Sequence, residues 1–75
     1  MSGAGIKNAI RRLRFEHGEM TQQTLADRIG VTRRTVIAIE QGKYSPSLEV
    51  AFQMADVFGV PLDQVFQYEA PRRSR

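Results

Sequence analysis

The chain has no cysteine, so neither a disulfide framework nor a thiolate metal site can reinforce a small core. It holds one histidine, His17, with no second histidine or carboxylate cluster at ligand spacing around it. A metal centre needs several ligands, so none is expected, and His17 reads as a surface residue near a helix C-terminus. No apolar run approaches the roughly 18 residues that span a bilayer, and Met1–Gly5 lacks the charged and apolar segments of a secretion signal. No glycine-rich phosphate loop precedes a helix, and no internal repeat is present. These absences leave a soluble, cytoplasmic, non-enzymatic protein without a cofactor as the expectation.

Seventy-five residues make one domain that buries a limited fraction of its surface, so a partner or dimer interface would add to its stability. The net charge is only +3, yet it is unevenly spread. Lys7, Arg11, Arg12, Arg14, Arg28, Arg33, Arg34 and Lys43 outweigh Glu16, Glu19, Asp27 and Glu40 over residues 1–43, a balance of +4. Residues 44–69 hold Glu49, Asp56, Asp63 and Glu69 and no basic residue, and Arg72, Arg73 and Arg75 follow. Such a division suits one face for a polyanion and another turned away from it, although solvated charge alone would also produce it.

The most informative stretch is Gln22 to Gln41, QQTLADRIGVTRRTVIAIEQ. Its small and apolar residues fall where two short helices crossing steeply require them. Ala26 sits at the close approach, and Gly30 ends the first helix with φ > 0, a conformation glycine adopts without steric cost. Thr32 then caps the second helix by accepting from a free amide of its first turn. Leu25, Ile29, Val31, Val36 and Ile39 give each helix one core stripe and leave its other face free. The pattern is that of a helix-turn-helix, with an αα-hairpin in an unrelated bundle as the alternative.

The leader, residues 1–5, has little to bury and is expected to be flexible. Ile6, Ile10 and Leu13 place a first helix over about Asn8 to His17, with Asn8 as N-cap, Gly18 as stop, and Phe15 off the stripe and partly buried. The second helix runs from Gln22 to Ile29 behind Thr21, and the third from Arg33 to Gln41 before Gly42. Ser47 caps a fourth helix whose core positions are Leu48, Ala51, Phe52, Ala55 and Phe58. After Gly59, Pro61 opens a short fifth helix that returns Leu62, Val65 and Phe66 to the core. Gln67-Tyr68-Glu69 alternates as a strand would and can pair with the residues around Ile6. The domain then spans 6–69, with 70–75 as a basic tail. The fold class is all-α, with five helices and a short terminal β-pairing.

On the third helix, Val36 and Ile39 point inward, so Arg34, Ile37, Ala38 and Gln41 point outward, and Arg33 leads the N-terminus. A guanidinium can donate two parallel hydrogen bonds to the O6 and N7 of guanine, and Ile37 and Ala38 can lie against thymine methyl groups. Backbone amides at the start of the second helix, with Thr21, Gln22 and Gln23 beside them, suit a phosphate oxygen. Lys43, Tyr44 and Ser45 offer a charge and two hydroxyls for a second one. Capping for Thr21 and packing for Tyr44 are the structural alternatives. Arg14 and Glu40 can both reach the seam between the first and third helices and form a partly buried ion pair there.

These residues resemble the Cro and lambda-repressor family of DNA-binding domains, also called the xenobiotic-response-element family. The likeness covers about Ile6 to Phe66 and is carried by TQQTLADRIGVTRRTVIAIEQGKYSPSLEVAFQMADVFGVPLDQVF. It implies a five-helix fold, operator binding in the major groove through the third helix, and a homodimer on a two-fold, palindromic operator. Residue by residue it points to Gln22, Arg33, Arg34 and Ala38 near bases and to Thr21, Lys43 and Ser45 near phosphates. The family's buried Arg–Glu pair falls on Arg14 and Glu40. One departure stands out: GEMTQ is a residue longer than the family's usual GLTQ. The expected function is a sequence-specific double-stranded DNA-binding transcriptional regulator, a repressor acting by operator occlusion. The rival is a protein-interaction module, an antitoxin or adaptor with weak or no specific DNA binding.

Overall fold

The computed structural model describes residues 5–69. In order these form β1 (Gly5–Asn8), α1 (Ile10–Glu16), α2 (Gln22–Ile29), α3 (Arg33–Glu40), α4 (Leu48–Phe58), α5 (Leu62–Val65) and β2 (Phe66–Glu69). Residues 1–4 and the arginines of the C-terminal tail, with the expectations attached to them, lie outside the described residues. Gly5, assigned to the leader from sequence, is instead the first residue of β1.

One core joins all five helices. Ile10, Leu25, Val36, Met54 and Val65 are completely buried, and Leu13, Ile29, Ile39 and Phe58 nearly so. Burying a side chain of this size contributes about 1.5–3 kcal/mol, so these positions dominate the stability of a short chain. Ala26 has no exposed surface where α2 meets α3. Val31 packs partly buried against the same cluster.

Helix ends follow from local chemistry. Thr21, Thr32 and Ser47 each accept a hydrogen bond from the amide three residues on, which opens α2, α3 and α4 respectively. Gly30 closes α2 at φ 75° and Gly59 closes α4 at φ 67°, left-handed positions where a Cβ would be strained.

Three further sequence expectations require correction. Asn8 belongs to β1, and α1 begins at Ile10 behind Ala9, which has no side-chain cap. Asn8 Oδ1 still accepts from the Ile10 amide at 3.2 Å, while its Nδ2 donates to the carbonyls of Ile39 and Glu40 at 3.1 and 3.3 Å. It thus closes the C-terminal end of α3, where carbonyls lack intrahelical partners. On α4 the core stripe is Ala51, Met54, Ala55 and Phe58, whereas Leu48 is 72% and Phe52 56% exposed. At about 100° per residue, Phe52 lies roughly 100° round from the centre of that stripe. Phe15 is 70% exposed rather than partly buried, because it follows neither Ile10 nor Leu13 by a helical repeat.

The two ends of the chain form one antiparallel sheet, with Ile6 opposite Tyr68 and Asn8 opposite Phe66. Lys7 and Glu69 add an exposed ion pair at 3.3 Å. The Ala9 amide donates to Val65 O at 2.9 Å, which ties the start of α1 to the end of α5. His17 is exposed as a residue, yet its ring nitrogens lie 2.8 Å from the carbonyl oxygens of Leu13 and Phe58. It bridges the C-termini of α1 and α4, a role that no spacing in the sequence indicated.

Candidate nucleic-acid interface

Burial of Val36 and Ile39 fixes the rotation of α3. Arg33, Arg34 and Gln41 are consequently exposed, and Ile37 and Ala38 half-buried. Thr32 Oγ1 accepts from the Thr35 amide at 3.1 Å, so the first turn carrying both arginines is pinned at its start.

Arg33, Ile37 and Gln41 line an open concavity of about 760 Å³ together with Thr21, Gln22 and Gln23 from the start of α2. Arg11 and Phe15 from α1, and Glu19 from the turn after it, close the far side. Sequence reasoning gave none of these three a place at the interface. Arg11 and Phe15 are four apart, which signals a shared helix face, but nothing in the spacing shows that this face adjoins α3.

At the floor of the concavity lies a continuous polar chain. Arg14 Nη1 donates to Met20 O at 2.8 Å, Arg14 Nε to Glu40 Oε2 at 2.7 Å, and Arg14 Nη2 to Glu40 Oε1 at 3.3 Å. The two side chains keep only 15% and 11% of their surface, and Gln22 Nε2 donates to the same Glu40 Oε1 at 3.3 Å. Helices α1, α2 and α3 are therefore joined through one carboxyl group. Paired, the charges are tolerated at this depth; unpaired, either would be costly.

In the α1–α2 turn Glu19 has φ 56° and is the one non-glycine residue with positive φ among those described. Gly18 beside it is at φ 78°, so the turn passes through two successive left-handed residues. Met20 then returns to the core edge, its amide donating to Arg14 O at 2.9 Å. The turn places an acidic side chain, Glu19, on the lining of the concavity.

Not every candidate residue faces this hollow. Arg34 and Ala38 lie on α3 outside its lining, and Lys43, whose amide donates to Ala38 O at 2.9 Å, follows the helix end. Tyr44 and Ser45 line a separate recess of about 570 Å³ beside the sheet, with Ile6, Phe66 and Tyr68. Gln23 Nε2 donates to Asp27 Oδ1 at 2.9 Å. Among the described residues, no group of three or more His, Cys, Asp or Glu side chains is placed to hold a metal ion. No helix of the described residues is long and apolar enough to cross a membrane.

What the arrangement offers is an array of donors on a convex helix with a polar floor behind it: two guanidinium groups, primary amides and hydroxyls, and the first-turn amides of α2 that Thr21 does not cap. Such an array matches the acceptors of nucleic-acid bases and phosphates. Residues 10–65 match the helix-turn-helix family. An uncharacterized HTH-type transcriptional regulator of Methanocaldococcus jannaschii is 48% identical over 64 residues, covering 85% of this chain and 96% of that protein. The HTH-type transcriptional regulator YgzD of Bacillus subtilis is 41% identical over 64 residues, with the same two coverages of 85% and 96%. The cryptic phage CTXphi transcriptional repressor RstR of Vibrio cholerae is 39% identical over 60 residues, 80% of this chain and 53% of the repressor.

Proposed function

Because the chain belongs to the helix-turn-helix family of transcriptional regulators, we propose that it is a sequence-specific double-stranded DNA-binding repressor acting in the cytoplasm as a homodimer. The observation that carries this reading is the exposed, basic first turn of α3, held on a pinned helix beside the concavity. In this reading α3 enters the major groove, with Gln22, Arg33, Arg34, Ile37 and Ala38 meeting base edges. Thr21, Gln23, Lys43, Tyr44 and Ser45 take phosphates and set register and salt dependence. A two-fold dimer spaces its recognition helices about 34 Å apart, so the operator is palindromic with half-sites one helical turn apart. Repression follows from occupancy of the promoter.

The dimer surface we assign to α4, α5 and β2, the acidic part of the chain. Leu48 and Phe52 on α4 and Tyr68 on β2 are large apolar side chains left exposed there, which a partner surface would cover. Its charge also turns it away from the phosphates.

Selection of bound duplexes from a random library tests the reading, repeated with Arg33→Ala and Arg34→Ala. A two-fold-symmetric motif is expected, relaxed at one base pair per half-site in each variant, at a cost of about 1–3 kcal/mol for a lost bidentate contact. Salt-sensitive binding without any sequence preference would refute it.

A further inference from the structure

We propose that Glu40 acts as a positioning residue for base reading, fixing the polarity of the Gln22 side-chain amide so that Gln22 selects adenine. The inference rests on the DNA-binding reading above and deepens it.

Both Glu40 oxygens accept hydrogen bonds from Arg14, at 2.7 and 3.3 Å. The group of Gln22 that faces Glu40 Oε1 at 3.3 Å must therefore be a donor, the NH2 end. Turning the amide round would set its carbonyl against the carboxyl oxygen. Arg14 is itself fixed by its 2.8 Å bond to Met20 O, so the carboxyl group has little freedom to accommodate that flip. With one Nε2 hydrogen committed to Glu40, Gln22 has its carbonyl oxygen and second N–H left for the concavity it shares with Arg33, Ile37 and Gln41.

An acceptor beside a donor is the complement of one purine edge. Adenine presents its N6 amine and N7 acceptor in the major groove, whereas guanine presents two acceptors, O6 and N7. A free glutamine could flip to offer both hydrogens of its NH2 group to guanine; a glutamine anchored by Glu40 cannot. The carboxyl group that joins α1 to α3 thus also removes an ambiguity from the reading head.

The test uses the full chain on its selected operator. Gln22→Met first identifies the base pair that Gln22 contacts, as the position whose adenine preference disappears. Wild-type protein is then titrated with duplexes carrying purine, which lacks the N6 amine, or guanine at that position. Each substitution is expected to weaken binding about ten- to a hundredfold, and Gln22→Met should not distinguish purine from adenine. In Glu40→Gln the adenine preference over guanine should fall to about threefold or less with the other positions unchanged, because amide 40, keeping its carbonyl on Arg14 Nε, turns its NH2 group toward Gln22 and no longer demands a donor from it. Nuclear Overhauser contacts between the Gln22 NH2 protons and the Glu40 methylene protons, read in the wild type, supply the answer on positioning should Glu40→Gln not fold.

Equal wild-type affinity for adenine and purine overturns the proposal. So does a folded Glu40→Gln that keeps the wild-type adenine-to-guanine ratio, or the absence of those contacts. A wild type that selects a defined operator without a Gln22-dependent adenine removes this inference alone. A wild type that selects no sequence removes the regulator reading and this inference with it.

Discussion

Replacing Glu40 with alanine probes the junction of α1, α2 and α3 directly. The change deletes the acceptors of two Arg14 bonds and the Gln22 bond together. The Arg14 guanidinium is left with Met20 O alone, at a site where it retains only 15% of its side-chain surface. Stranding one member of a buried pair costs about 3–5 kcal/mol. Residual exposure lets water reach part of the guanidinium, so a value at or just below that range, about 2–3 kcal/mol, applies here. A domain of this length has a total stability on the order of 4–11 kcal/mol. The expected fall in melting temperature is roughly 10–20 °C, read by circular dichroism and checked by urea denaturation. Changing both partners, Arg14→Met with Glu40→Leu, removes the stranded charge and restores apolar packing. The double variant should regain about 1–2 kcal/mol over Glu40→Ala despite the orphaned Met20 carbonyl. A single variant melting within about 4 °C of the parent, or a double variant no more stable than the single, would refute the account of Arg14 as a charge dependent on its partner.

Two further substitutions test other joints of the same region. Glu19→Gly relieves a left-handed residue that costs about 1–2 kcal/mol, less the roughly 0.5–1 kcal/mol of chain entropy that glycine adds to the unfolded state. A small rise in the urea midpoint is expected, together with tighter DNA binding because an acid leaves the rim of the concavity; a destabilised variant would show that Glu19 makes an interaction outweighing its strain. His17→Ala removes the bridge between the carbonyls of Leu13 and Phe58 and should cost about 1–2 kcal/mol in the same assay. The operator motif chosen by His17→Ala should be that of the parent, and an altered motif would mean that the α1–α4 joint reaches the reading surface.

Where a residue's role is set by its own helix, the sequence was a sufficient guide. Ala26, Gly30 and Thr32 owe their positions to steric closeness, a left-handed backbone and an unpaired amide, all local demands. The outward face of α3 follows in the same way from two inward residues, Val36 and Ile39. Legibility failed where two periodic assignments compete. On α4 both 48-52-55 and 51-54-55-58 make helical stripes, and only contact with the other helices selects the second. Leu48 and Phe52 are as apolar as the residues that won, which is why pattern alone chose them. Asn8 was misplaced for a related reason. Its side chain does serve a nearby amide, as an N-cap would, but the strand pairing with Phe66 removes it from the helix.

Glu40 marks the limit of what spacing can convey. Its position on the chain named one partner, Arg14, because both stand next to apolar stripes that meet; the third member, Gln22, adjoins it only through the crossing of α2 over α3. That third contact makes stability and recognition share a residue, yet the two roles leave separable traces. A fold weakened by loss of the ion pair lowers the fraction of competent protein and so reduces affinity for every duplex by one factor. A Gln22 amide released to flip changes the ratio between adenine and guanine at one base pair and leaves other ratios alone. Ratios of affinities measured on one folded preparation are blind to the first effect and report the second directly. Glu40→Gln, which keeps one acceptor beside Arg14 but removes its counter-charge, should therefore lower the melting temperature and affinity for every duplex, and separately shift the base ratio at one position.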